Sequence, residues 1–180
     1  MADHARLHEA VQNATDLGVI SRSVINISIG CELEPVTNDA VKHAVQAGMT
    51  VVVAAGNQGI DACGISPASV EEAITVGSID RDDKRSGFSN WGACIDIFGP
   101  GTNVRSASNR NDTGYAYMGG TSMSSPHVAG LVTYLMAREP DLRTPEQVKQ
   151  RIMELATLDK VTNANGTANM IIFNGNDIES

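Results

Sequence analysis

The amino-acid sequence predicts an α/β fold in which a mainly parallel sheet is flanked by helices. Strand-like apolar runs alternate with segments of helical periodicity, the order expected of βαβ units. The segment MTVVVAAGN is an unbroken apolar run, which is typical of a strand buried on both faces. The core is expected to be aliphatic, because hydrophobic residues make up 42% of the 180 residues but aromatic residues only 4%. A chain of this length fits one domain.

The first part of the chain predicts a helix, a strand and a second helix. Gly18 is placed to end the first helix, and Val24–Ile29 (VINISI) is rich in β-branched residues and predicts a buried strand. Thr37 is the predicted N-cap of the second helix, which Gly48 closes. With the strand that follows, this helix forms a right-handed parallel βαβ unit. The apolar helical positions are Leu7, Ala10, Val11, Ala14 and Leu17, then Ala40, Val41, Ala44 and Val45.

The second part predicts two more sheet strands and two more helices. The strands are Ala73–Gly77 and Cys94–Phe98, separated by a polar loop. One helix begins around Ser122 with Pro126 in or near its first turn, where a missing N–H costs little, and another follows Thr144-Pro145-Glu146. Near the end of the chain, the run MIIF predicts one edge strand.

The charge of the chain argues against two classes of partner. The formal net charge is −8 and the pI about 4.8, so the chain would repel a nucleic-acid backbone or an anionic membrane surface. No apolar stretch approaches the roughly 18–20 residues that span a bilayer. The chain starts directly in helical periodicity, without the charged and apolar blocks of a signal peptide, and we expect missing sequence upstream.

Two polar residues stand where an α/β fold gathers reactive groups. Asn57 follows the apolar strand, and Ser122 begins a long helix, whose unpaired N–H groups stabilise negative charge. A serine there can attack a carbonyl while its own N–H holds the oxyanion. An isolated AGN is more often a structural turn, so the residues alone leave that interpretation open.

Other kinds of site fit less well. G-T-S-M-S lacks the second glycine of the G-x-S-x-G nucleophile elbow, so an α/β-hydrolase site fits poorly. No predicted strand is followed by G-x-G-x-x-G, so a Rossmann dinucleotide site fits worse. The four histidines show no metal-binding cluster, since the pair on one helix is better explained as solvated surface. They are His4, His8, His43 and His127.

Six segments together resemble the subtilisin-like serine proteases, in an order and spacing closest to the proteinase K and aqualysin branch. They are SIG at 28–30, VVVAAGN ending at Asn57, ISPAS at 65–69, SGFSNWG at 86–92, DIFGPG at 96–101 and GTSMSSPHVAG at 120–130. The resemblance covers nearly the whole chain. It implies a three-layer subtilisin-like fold, incomplete at its N-terminal side, and serine endopeptidase activity on polypeptide substrates without a cofactor for the chemistry.

The resemblance also assigns site residues. Ser122 matches the nucleophile, and Asn57 matches the amide that completes the oxyanion hole with the Ser122 N–H. Ser28, Ile29 and Gly30 match the edge on which substrate aligns as an added strand. Ala54, Ala55 and Gly56 match one wall of the primary specificity pocket. His127 belongs to the fold in this family and is not the catalytic base.

Three cysteines cannot all pair within one chain. The resemblance implies a disulfide between Cys63 and Cys94, and hence an oxidising compartment and a secreted protein. Cys31 is left over, either buried or paired with a residue that this chain lacks. Asp96 matches an aspartate that binds structural calcium, with backbone carbonyls near Glu71 and Ala73 as companions.

The acid and the base of a catalytic triad are missing from the expected place. In this family they precede the substrate-binding strand, in D-S/T-G and H-G-T motifs, and neither motif occurs before Ser28. We therefore expect residues 1–180 to be the C-terminal portion of a protease domain, nearly inactive alone, whose partners are a propeptide or the missing N-terminal half. The alternative is a catalytically silent peptide-binding fragment that needs a complementing chain.

Overall fold

The computed structural model describes the backbone of residues 2–176 and the side chains of residues 5–176. The helices are Ala2–Asp16 (α1), Pro35–Gln46 (α2), Thr121–Arg138 (α3) and Pro145–Leu155 (α4). The first five strands are Val24–Ile27 (β1), Cys31–Glu32 (β2), Thr50–Ala54 (β3), Ile65–Ser66 (β4) and Ile74–Ile79 (β5). The other five are Ile97–Pro100 (β6), Val104–Ala107 (β7), Tyr115–Met118 (β8), Thr157–Leu158 (β9) and Met170–Ile171 (β10). Short 3₁₀ helices lie at Ile20–Arg22 and Ala62–Gly64.

The main sheet has six strands in the order β1-β3-β5-β6-β10-β9. All neighbouring pairs are parallel except β10 and β9, which are antiparallel. Every residue of β3 and β5 is buried, as the unbroken apolar run predicts for a strand covered on both faces. The predicted mainly parallel sheet flanked by helices is confirmed.

Alternate residues of β3 face two different layers. Val52 packs with apolar residues of α3 and α4, including Val128, Val132 and Ile152. Val51 and Val53 lie in a second cluster with residues of α2, against which α1 also packs. The period of two in a strand sends successive side chains to opposite faces, so this one segment joins three layers.

The helix ends confirm most of the capping predictions. Gly18 and Gly48 adopt positive φ values of 67° and 101° just beyond α1 and α2. Thr144 and Gln147 form a reciprocal capping box at the start of α4. The prediction that Thr37 caps α2 is wrong, because the Glu34 carboxylate accepts from the Thr37 N–H at 2.8 Å and Pro35 begins the helix.

Several strand bounds differ from prediction. β1 ends at Ile27, and it forms the outer edge of the described sheet with Asn26 exposed, so it is not the buried strand expected. β6 starts three residues later than predicted, because the Ile95 N–H turns back to the Gly92 carbonyl. The MIIF strand, β10, lies between β6 and β9 and is not the edge. Both residues of β9 are exposed, so no apolar pattern marked it.

The predicted disulfide between Cys63 and Cys94 is present, with Cα atoms 5.3 Å apart. It joins the 3₁₀ helix Ala62–Gly64 to the turn before β6. Cys31 is exposed and has no disulfide partner among the described residues, which corrects the expectation that it is buried. The alternative, a pair with a residue that this chain lacks, stays a prediction. No helix among the described residues is long and apolar enough to cross a membrane.

Candidate active site

Ser122 is the second residue of α3, at the carboxyl end of the parallel sheet. Gly120 is the N-cap with φ 152°, a conformation that glycine adopts readily. The N–H groups of a first helical turn have no partners within the helix, and their dipoles favour negative charge. The Ser122 hydroxyl and its own backbone N–H therefore meet at a helix entrance suited to an oxyanion.

Asn57 follows β3 and is tied to the same helix entrance. Its Oδ1 atom accepts from the backbone N–H of Thr121 at 2.8 Å and from the Thr121 hydroxyl at 3.1 Å. Because both of those groups donate, the atom that faces them is the amide oxygen, which leaves the Asn57 Nδ2 group as a free donor among the described residues. An exposed amide donor thus stands beside the first turn of α3.

Thr121 has a positioning role that the sequence analysis missed. Its side chain is buried, and its hydroxyl oxygen also accepts from the Gly56 N–H at 3.1 Å. One hydroxyl therefore joins the end of β3, the Asn57 amide and the start of α3. Its place directly before Ser122 was the available signal.

Ser28 and Ser122 are joined by two hydrogen bonds. The Ser122 hydroxyl donates to the Ser28 carbonyl oxygen at 3.1 Å, and the Ser28 hydroxyl donates to the Ser122 carbonyl oxygen at 3.1 Å. The second bond has a cause in the sequence, since Pro126 has no N–H to give to the carbonyl four residues earlier. Pro126 is the sixth residue of α3, so the expectation that it lies near the first turn at little cost is wrong.

A polar network extends from Ser28 into α3. The Asn26 Nδ2 group donates to the Ser28 hydroxyl at 2.9 Å, and the buried Ser125 hydroxyl donates to Asn26 Oδ1 at 2.6 Å. The chain from Ser28 to Gly30 is not paired in a strand, and the Ile29 side chain is 58% exposed. An exposed segment without strand pairing therefore starts beside the Ser122 hydroxyl.

The residues predicted to form one wall of the specificity pocket lie at the end of β3: Ala54 is its last residue, and Ala55 and Gly56 follow it. Ala54 and Ala55 are buried, with 3% and 0% of their surface exposed, so neither opens to solvent in this structure. Gly56 has φ +99°, and a Cβ atom there would overlap the Asn90 side chain. Only glycine fits this position without strain.

Asn90 is a second residue whose role the sequence analysis missed. It is fully buried, accepts from the N–H groups of Gln58 at 3.0 Å and Ile60 at 3.1 Å, and donates to the Ala55 carbonyl at 2.8 Å. These bonds hold the loop that carries Asn57. In the sequence, the motif SGFSNWG predicts no separate role for this asparagine.

No histidine among the described side chains bonds to the Ser122 hydroxyl. His127 is exposed, and its Nδ1 atom lies 2.8 Å from the Met123 carbonyl, as expected of a residue that is not the base. The side chain of His4 lies outside the described residues. A D-T-G tripeptide does occur at 112–114, but it is downstream of Ser28 and lies in the exposed loop between β7 and β8.

Asp96 lies in a different contact from the one predicted. Its Oδ1 atom is 2.8 Å from the Lys149 ammonium, and its Oδ2 atom accepts from the Thr75 N–H at 2.8 Å. Burial raises the pKa of Asp96, although Lys149 and the Thr75 N–H act to lower it. The described residues contain no group of three or more acidic, histidine or cysteine side chains able to hold a metal. With the ammonium in place, the Asp96 oxygens do not fit a calcium ion.

Comparison with known proteins agrees with this geometry. Residues 6–171 match the subtilase family of peptidases. The chain is 43% identical over 165 residues to Subtilisin-like protease 1 of Pseudogymnoascus destructans, which covers 92% of this chain and 40% of that relative. It is 42% identical to Cerevisin of Saccharomyces cerevisiae, over 85% of this chain and 26% of the relative. The chain thus spans less than half the length of either relative.

The fold is also found among solved structures. A crystal structure of a cold-adapted subtilisin-like serine proteinase superposes with a TM-score of 0.89 at 37% sequence identity. The superposition covers 97% of this chain and 61% of that one.

Proposed function

This chain belongs to the subtilase family, and from that premise we propose that residues 1–180 are the C-terminal portion of a serine endopeptidase catalytic domain. The observation that carries the proposal is the bond from the Thr121 N–H to Asn57 Oδ1 at 2.8 Å. It holds the Asn57 amide at the start of α3, one residue before Ser122, and so supports a role for the Nδ2 donor beside the Ser122 hydroxyl.

In the proposed reaction, Ser122 Oγ attacks the carbonyl carbon of a peptide bond. The carbonyl oxygen becomes an oxyanion, which accepts hydrogen bonds from the Ser122 N–H and from Asn57 Nδ2. Removing one such donor costs about 2.7–4 kcal/mol of transition-state stabilisation in a related protease. The chemistry uses no cofactor.

Substrate recognition in this proposal uses backbone more than side chains. A polypeptide aligns along Ser28, Ile29 and Gly30 as an added strand, and its side chain next to the scissile bond enters beside Ala54, Ala55 and Gly56. Small residues at these positions favour a large apolar side chain. The Ser122 hydroxyl must leave the Ser28 carbonyl, 3.1 Å away, before it attacks.

Full activity also needs a proton acceptor for Ser122 and an acid that orients it. We propose that polypeptide outside residues 1–180, carrying the upstream motifs of the family, supplies both groups. The disulfide between Cys63 and Cys94 supports a secreted protein, because such bonds persist in oxidising compartments. A propeptide is a further proposed partner of the chain. Nucleic acid and membranes are not proposed as partners.

A second candidate function is a catalytically silent peptide-binding fragment. It is favoured by the bond from the Ser122 hydroxyl to the Ser28 carbonyl, in place of a bond to an imidazole. Both candidates use the same segment, Ser28 to Gly30, for peptide binding. They differ in whether Ser122 becomes a nucleophile when a base is supplied.

Fluorophosphonate labelling separates the two candidates. The 180-residue chain is labelled alone and after mixing with a polypeptide that carries the family's D-S/T-G and H-G-T motifs, and Ser122→Ala is the control. We expect slow labelling alone and an increase of about 100-fold or more in the mixture, the size of a general-base contribution. Rapid labelling of the chain alone would contradict the prediction that residues 1–180 lack the catalytic base. A mixture that binds peptide but labels no faster would favour the silent fragment.

A further inference from the structure

Lys149, on α4, reaches across to the main sheet and ends among three oxygen atoms. Its Nζ atom donates to the Glu71 carbonyl at 2.7 Å and to the Ala73 carbonyl at 2.9 Å, and it lies 2.8 Å from Asp96 Oδ1. An ammonium group has three N–H donors, so all three are used. Only 14% of the Lys149 side chain and 17% of the Asp96 side chain are exposed.

These three oxygens form a cage that does not depend on Lys149 for its shape. The Asp96 carboxylate is fixed by the Thr75 N–H at 2.8 Å, and the Asp96 N–H donates to the Thr75 carbonyl at 3.0 Å. The Ala73 N–H donates to the Val70 carbonyl at 3.2 Å, within the turn before β5. The positions of these oxygens are therefore set by β5, by the residue before β6 and by the turn, whereas the ammonium belongs to a separate helix.

The position of Lys149 is itself fixed by packing. Its neighbour Val148 and Ile152, one turn further along α4, are fully buried in the core between α3, α4 and the sheet. The capping box at Thr144 sets where α4 begins. The ammonium is thus held over the cage by the core rather than by surface contacts.

A carboxylate and two backbone carbonyls are oxygens of the kind that calcium binds, and the family resemblance implies calcium at this place. A calcium ion would sit 2.3–2.6 Å from its ligands, roughly where the ammonium nitrogen lies, so the two cannot share the cage. We propose that the Lys149 ammonium is the resident cation of this cage, that it excludes calcium there, and that shortening Lys149 converts the cage into a cation site.

Thermal unfolding of the 180-residue chain in EGTA or in about 10 mM calcium tests the exclusion, since weak protein sites have Kd values of about 0.1–1 mM. We expect calcium to change the Tm of the wild type and of Asp96→Asn by the same amount. A larger change in the wild type than in Asp96→Asn would show that calcium uses Asp96, and it would overturn the proposal.

Lys149→Ala tests the cage, and Lys149→Met is its matched control because a methionine side chain fills the space without the charge. Calcium should raise the Tm of Lys149→Ala by about 3 °C or more beyond its effect on Lys149→Met. Adding Asp96→Asn to Lys149→Ala should abolish the extra rise. A folded Lys149→Ala that responds to calcium no more than Lys149→Met would refute the cation site.

A measurement on the wild type alone avoids variants that fail to fold. Acetylation rates of individual lysines are read by mass spectrometry with and without calcium. Lys149 should react much more slowly than the exposed Lys84 and Lys160, and calcium should leave its rate unchanged. If calcium displaced the ammonium, Lys149 would be acetylated faster in its presence, and the proposal would fail.

Discussion

The Ser28 hydroxyl donates to the Ser122 carbonyl oxygen at 3.1 Å, and this side chain fills the place of a backbone donor that Pro126 lacks. The predicted substrate segment is therefore joined to the start of α3 by a bond that replaces the missing N–H of Pro126.

Ser28→Ala should destabilise the chain by about 1 kcal/mol, because it leaves the partly buried Ser122 carbonyl without its donor. Pro126→Ala supplies a backbone N–H to the same carbonyl, so the cost of Ser28→Ala should be smaller in that background. Urea unfolding of the four chains in a double-mutant cycle measures the coupling. Ser23→Ala, which removes a hydroxyl bonded to the Val19 carbonyl near the surface, is the control. An equal cost in both backgrounds would contradict the link to Pro126.

Asn57→Asp should separate stability from chemistry. A carboxylate still accepts from the Thr121 N–H and suits a helix N-terminus, so the Tm should stay close to that of the wild type. The proposed donor to the oxyanion is lost, and labelling of Ser122 in the complemented mixture should slow by about 100-fold. Gln58→Glu places the same charge one residue away and should label nearly normally. Comparable slowing in both variants would assign the effect to charge.

Reduction of the disulfide between Cys63 and Cys94, which are 31 residues apart, should lower the free energy of unfolding. The loss expected from chain entropy is about 3–4 kcal/mol, since the unfolded chain is no longer cross-linked. Urea unfolding with and without reductant measures it in the Cys31→Ser variant, where the free thiol cannot exchange. A Cys63→Ser, Cys94→Ser, Cys31→Ser chain that is as stable as the oxidised variant would disprove the expectation.

The pH dependence of stability should carry a signature of Asp96. Burial raises the pKa of this carboxyl above its ordinary value of 3.8, so the folded chain binds the proton more tightly than the unfolded chain does. The contribution of Asp96 to stability is then fully present below pH 3.8 and is lost as the pH rises through the raised pKa. The free energy of unfolding of the wild type minus that of Asp96→Asn should therefore decrease over this interval. A difference that increases would mean that the attraction of Lys149 outweighs desolvation.

The sequence predicted the parts of the fold that depend on local pattern. The apolar run of β3 marked a strand buried on both faces, and Thr144-Pro145-Glu146 marked the start of α4. The carboxyl end of β3 and the start of α3 were correctly identified as the place where Asn57 and Ser122 stand. The catalytic roles of these two residues stay predictions.

What the sequence did not predict depends on contacts between distant segments. Lys149 follows Asp96 by more than fifty residues, and nothing in the local pattern of α4 distinguishes it from a solvated lysine. The strand β9 has two exposed residues and is defined by its pairing with β10. Glu34 caps α2 because Pro35 occupies the first helical position. Thr37 is the more usual type of capping residue, so the sequence predicted the wrong cap.

The helix α3 carries Ser122 at its entrance and also fills the core with Val128, Val132 and Leu135. The Ser122 hydroxyl thus has no hinge of its own, since the helix that carries it also packs against the sheet. Heat should consequently disorder the Ser122 site and melt the whole fold in a single event. A more tightly packed core would therefore also hold the Ser122 hydroxyl more rigidly.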